Sequence, residues 1–166
     1  LLAALFYEKG KDKTWGMEWD IYKLDSGDDS FTYEFDSEGP RGRIRKIIKF
    51  QYLNYPGGNV YNLGFGNLDE ETGDMDDSVV SDNGDQLKIL HTVAEAVIDF
   101  FGARPKAIIL IKGSTSSRTR LYQMKIAGFL SEVSQHFEIL GDTGREWVLF
   151  QRGVNYKRFL VYKKIE

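Results

Sequence analysis

Apolar and polar residues begin to alternate at Phe31, Tyr33 and Phe35 of FTYEFDS, the period of two that a half-buried strand shows. EGPRG reads as a turn and RIRKIIKFQYL as a β-branched strand carrying basic residues, so the pair predicts a first hairpin. After NYPGGN, VYNLGFGNLD reads as a third strand. EETGD follows with Gly73 where a hairpin loop favours a left-handed residue, and DMDDSVVS is expected to return as a fourth strand. The period then changes. Leu87, Leu90, Ala94, Val97, Ile98 and Phe101 fall on one face of a helix starting near Asp85, with Asp82, Asn83 or Asp85 as its cap and Gly102 and Pro105 as its stop. AIILIKG is a short apolar strand of the kind buried on both faces. A second helix is expected from about Ser116 to His136, with Tyr122, Ile126, Phe129, Leu130, Val133 and Phe137 facing the core. FEILGD, REWVLFQ and RFLVYKK close the chain as strands. The order predicts an α/β (α+β) fold, a single mixed, mainly antiparallel sheet packed by two long helices, with a right-handed strand–helix–strand crossover.

Composition fits one domain. A chain of 166 residues suffices for one core, and 42% hydrophobic residues, with 3 Trp, 9 Tyr and 11 Phe, set disorder aside. No Pro/Gly/Ser-rich linker divides the chain, which reads as a domain over residues 17–166. Residues 1–16 precede Met17 and read as a separate arm or as material upstream of a start there. With no cysteine, disulfides, thiolate metal sites and a thiol nucleophile are excluded. No apolar run approaches the ~20 residues of a bilayer span, so no membrane association is expected and cytoplasmic residence is the expectation.

The net charge of −3 hides an uneven distribution. Arg41, Arg43, Arg45, Lys46 and Lys49 form one basic stretch, Lys112, Arg118, Arg120 and Lys125 another, and residues 69–85 between them are acidic. RGRIRKIIKFQY could line a nucleic acid, since cations meet phosphates and rings stack bases, but the acidic whole makes this the minority reading. Asp74, Asp76 and Asp77 lack the spacing of a calcium loop, and no metal site is expected. His91 and His136 have no serine–acid pattern beside them and read as structural.

The strongest candidate chemistry lies in IKGSTSSRTRLYQMKIAGFL, residues 111–130. A loop leaving a buried strand and entering a helix presents unpaired N–H groups and the positive end of the helix dipole to an anion. Lys112, Gly113, Ser114, Thr115 and Arg118 are the candidate ligands for a phosphate-bearing molecule, Arg118 by two parallel N–H bonds. The Lys-Ser/Thr ending of a Walker loop is absent. The alternative is a capped helix whose polar residues face water, with Arg118 paired to a carboxylate of the acidic hairpin. At 100° per residue, Arg118 flanks the core face and Arg120 points away from it. Arg120, Leu121, Met124 and Gly128 then form a back surface suited to a second core layer, a homodimer or a protein partner. Tyr122 is the candidate proton donor if the domain is an enzyme.

YEFDSEGPRGRIRKIIKF, YNLGFGNLDEETGDMDDSVVSDNGD, KGSTSSRTRLYQM and NYKRFLVYKK together resemble an uncharacterised bacterial family of small domains over residues 17–164. That resemblance implies a small cytoplasmic bacterial protein, associated with toxin–antitoxin or mobile defence loci, and brings no catalytic role for Gly113 to Tyr122. The element order is also distantly similar to that of Gcn5-type N-acetyltransferases, which implies acetyl-CoA as a ligand. SDNGDQLK supplies only Gly84 where that family's pyrophosphate loop has several glycines, and Tyr122, Gly128 and Phe129 stand at a longer spacing than its Tyr…Gly-Phe.

Overall fold

The computed structural model describes residues 20–77, 81–128 and 130–164. It contains strands β1 (Asp25–Ser26), β2 (Thr32–Gly39), β3 (Gly42–Tyr55), β4 (Gly58–Leu68) and β5 (Met75–Asp76), then helix α1 (Gln86–Ala103) and strand β6 (Ile108–Ile111). Helices α2 (Ser116–Gly128) and α3 (Leu130–His136) precede β7 (Phe137–Asp142), β8 (Trp147–Leu149) and β9 (Phe159–Lys163). The nine strands form one sheet in the order β1-β2-β3-β4-β6-β9-β7-β8, with β5 paired to β4. Among the described residues only the β4–β6 pairing is parallel, so the fold is α+β with a mixed, mostly antiparallel sheet, as its element pattern predicts.

The first hairpin forms as expected, with Gly39 opposite Gly42 at its turn, and Gly73 holds the expected left-handed conformation at φ 74°. Several boundaries differ from expectation. The fourth strand reduces to Met75–Asp76, and residues 78–80 of DMDDSVVS lie outside the described residues, as do residues 1–19. The second helix is two segments, α2 and α3, and Phe137 opens β7 instead of closing a helix. It pairs with Lys163 of β9 and sets its ring 5.3 Å from Phe101. Phe129 and the side chain of Val133, both expected on the core face, lie outside the described residues.

On α1 Ala94, Val97 and Phe101 of the expected stripe are buried, and Leu90 and Ile98 pack against the core. Leu87 is 59% exposed, and the buried face widens instead through Ile89, Val93, Ala96 and Phe100. Phe100 explains why: its ring stacks on Phe50 at 4.0 Å and meets Tyr61 edge-on at 5.1 Å, anchoring the helix over β3 and β4. Asp85 occupies the cap position of α1 but makes no cap bond. Its carboxylate accepts hydrogen bonds from Tyr22 and Ser37 hydroxyls, both at 2.7 Å, and Asn83 bonds Ser37, Gly42 and the Arg41 amide. The side chain of Asp82 lies 3.5 Å from the Gln86 amide group. None of the three expected caps takes that role.

Candidate functional site at the carboxyl ends of the parallel strands

Strands β4 and β6 pair over Val60–Asn62 and Ile108–Leu110 and then part. Farther along the same edge, β4 pairs with β5 at Asn67 and Leu68. Among the described residues, Leu63, Gly64, Phe65 and Gly66 therefore have a strand partner only on the β3 side. A cleft of about 270 Å³ opens there, lined by Asn62, Leu63, Gly64, Phe65, Met75, Asp77, Ile111, Lys112, Gly113, Ser114, Arg118 and Tyr122. Four of the five expected ligand residues and the candidate proton donor thus surround one space.

The loop that holds them is built around two threonines. Thr115 caps α2, its hydroxyl accepting the Arg118 amide at 3.2 Å, so the expected capping role falls to Thr115 and not to the cleft wall. Buried Thr119 accepts the Gly113 amide at 3.1 Å and donates to the Thr115 carbonyl at 3.2 Å. A Cβ on Gly113 would stand 2.5 Å from the Thr119 nitrogen, so the strand can turn into the helix this tightly only with glycine. Arg118 Nη1 donates to Ser114 Oγ at 2.7 Å, and Ser114 Oγ donates to the Asp77 carbonyl at 3.3 Å. This relay ties the amino end of α2 to the segment that follows β5. Lys112 and Ser114 are exposed, Arg118 is half-buried and Tyr122 packs against the core.

Burial pushes the Tyr122 phenol above its ordinary value, with Arg118 opposing and Asp77 reinforcing the shift. The phenol stays neutral and available as a hydrogen-bond donor. On the opposite side of α2, Arg120 is exposed, Leu121 and Met124 are 46% and 63% exposed, and none of the described residues lies within 4 Å of a Cβ built on Gly128. The back surface is open to solvent, not a second core layer.

The basic stretch of β3 is largely neutralised. Arg45 pairs with Asp25, Glu34 and Asp36, and Arg43 with Asp36 and Glu70. Burial alone would raise Asp36, yet the two arginines hold it below its ordinary value. Among the described residues no group of three or more His, Asp or Glu comes together to hold a metal ion. Burial lowers the His91 imidazole, consistent with a structural role.

Sequence reasoning missed two features. The first is the β4 wall of the cleft, for which Gly64-Phe65-Gly66 inside a strand was the signal, since such glycines mark close approach by other backbone. A Cβ on Gly66 would fall 2.4 Å from the Asp76 carbonyl oxygen. The second is a buried polar cluster beside the amino end of α1. Lys46, 3% exposed, donates to Asn67 Oδ1 at 2.5 Å and to Ser81 Oγ, and lies 5.9 Å from the Phe65 ring centroid. Its signal was a lysine at the core-facing parity of Ile48 and Phe50.

No helix of the described residues is long and apolar enough to cross a membrane. Neither a comparison with curated proteins nor one with solved structures finds a match. Residues 18–164 match the family of unknown function DUF6934, and the chain belongs to that family.

Proposed function

We propose that the cleft between β4 and β6 binds a phosphate-bearing ligand, with Lys112 and Arg118 supplying the charge and Ser114 a hydroxyl. The supporting observation is the convergence of Lys112, Gly113, Ser114, Arg118 and Tyr122 on one cleft at the amino end of α2. Charge-assisted bonds from arginine are about twice as strong as neutral ones. Calorimetric titration with inorganic phosphate, nucleotides and coenzyme A tests the reading. Arg118→Ala should weaken binding about tenfold or more without lowering the melting temperature, and Arg118→Lys should fall between. An unchanged affinity in Arg118→Ala would sink the proposal.

A second reading, acyl transfer from a coenzyme A-type thioester, is favoured by the parting of two parallel strands beside Tyr122. The β4 backbone at Leu63–Gly66 offers groups to the amides of an extended donor arm. A neutral amine would attack the thioester carbonyl, the C–N bond would form as the C–S bond breaks, and the proton shed by the amine nitrogen would end on the leaving thiolate, which the Tyr122 hydroxyl holds by a hydrogen bond. The upward shift of that phenol, against a thiol near ~8.5, favours the hydrogen bond over complete transfer. Asp85 puts a carboxylate at the start of α1, which supports placing the donor's phosphates beside Lys112 and Arg118 instead. Thiol release from acetyl-CoA with a panel of amines is the assay. A rate in Tyr122→Phe equal to wild type removes Tyr122 from the mechanism.

The exposed Leu121 and Met124 support a separate partner-binding face on α2. A homodimer through it predicts that Met124→Glu shifts the mass in light scattering from dimer to monomer. An unchanged mass excludes that dimer.

A further inference from the structure

The cleft that gathers Lys112 and Arg118 also carries a charge of the opposite sign. Asp77 lines it as well, and the Ser114 hydroxyl donates to the Asp77 backbone carbonyl. Among the described residues, neither the Asp77 carboxylate nor the Lys112 ammonium takes part in a hydrogen bond or ion pair. Carboxylates elsewhere on the sheet are met by cations: Asp25, Glu34, Asp36 and Glu70 by Arg43 or Arg45, and Asp142 by Arg158. Both signs are felt at one group, since Arg118 lowers the Tyr122 phenol and Asp77 raises it.

A phosphate bound alone would face Asp77 as a like charge. A ligand that also carries a cation removes that conflict and gives the carboxylate a partner. The charges of the cleft match a definite class. Lys112 and Arg118 are two positive charges and Asp77 is one negative charge. A phosphate monoester carries nearly two negative charges at neutral pH, and a primary ammonium one positive. The volume of about 270 Å³ lies just under the roughly 300–1,000 Å³ of sites that enclose a drug-sized ligand, so a short linker must join the two groups. Asn62 and Tyr122 add an amide and a hydroxyl to the wall between them.

Resting on the anion reading above, we propose that the ligand is a small phosphorylated amine, its phosphate held by Lys112 and Arg118 and its ammonium by Asp77. Calorimetry on the full chain at low ionic strength compares phosphoethanolamine with two probes of similar size. Ethyl phosphate lacks the ammonium, and glycerol 3-phosphate replaces it with hydroxyls. Phosphoethanolamine should bind about fivefold tighter than either, as much as one exposed ion pair supplies. Asp77→Asn keeps the side-chain size and the backbone carbonyl that Ser114 uses. It should erase the preference by weakening phosphoethanolamine while ethyl phosphate binds as well as before or tighter. Equal affinities for the three probes in the wild type, or a preference that survives Asp77→Asn, overturns the proposal. If that happens while Arg118→Ala still weakens ethyl phosphate about tenfold, the anion reading stands without it. If Arg118→Ala weakens no probe, or none binds at millimolar concentration, both are overturned.

Discussion

Thr119 sits where the loop before α2 closes on itself, bonded to Gly113 and Thr115. Gly113→Ala should cost about 1–3 kcal/mol, because the clash is with backbone that cannot step aside. The urea midpoint measures it. Thr115→Ala removes one cap bond and should cost about 1 kcal/mol, seen as a lower melting temperature. Lys46 predicts a pH effect. Burial lowers its pKa in the folded chain, so below the ordinary lysine value near 10.5 the unfolded chain holds a proton that the fold resists. The contribution is favourable only in alkali: stability should rise with pH through that window and fall as pH drops toward the depressed folded value. Urea midpoints should rise in the wild type relative to Lys46→Met as pH climbs toward the ordinary lysine value. Parallel curves would show that Lys46 does not titrate in this range.

The elements that could be read from the sequence are those whose side chains repeat with a clear period. Phe31, Tyr33 and Phe35 place β2, and Ile109 to Ile111 place β6, because alternation or a continuous apolar run leaves one solution. α1 was located with most of its stripe, but Leu87 fits the helical period as well as Ile89 does, and only packing on the sheet decides between them. The loop of the cleft was legible through Gly113, Thr115 and Arg118, which are local. Its opposite wall was not, because Leu63 to Gly66 acquire meaning only when β5 and β6 take different stretches of one edge. On the sheet, the Tyr162 hydroxyl bonds Glu138 across β9 and β7. Burial and that carboxylate push the phenol up to about 12. Glu138→Gln should bring it back toward its ordinary value, followed by phenolate absorbance against pH.

For the whole molecule, charge is spent mainly on holding strands side by side. Arg45 and Arg43 join β1, β2 and the β4–β5 turn through four carboxylates, a partly exposed network that salt should weaken. The strand order carries a consequence for how the chain is made. β9 lies between β6 and β7 and bonds both, yet it leaves the ribosome after both of them. Until it arrives, β6 and β7 have no strand between them, and their apolar edges are exposed to neighbouring nascent chains. A chain ending at residue 158 should therefore accumulate as aggregates, whereas supplying residues 159–164 as a separate peptide should rescue a soluble fraction. β9 thus closes the sheet only after both of its neighbours have been made, and a chain interrupted before it is the form most exposed to quality control.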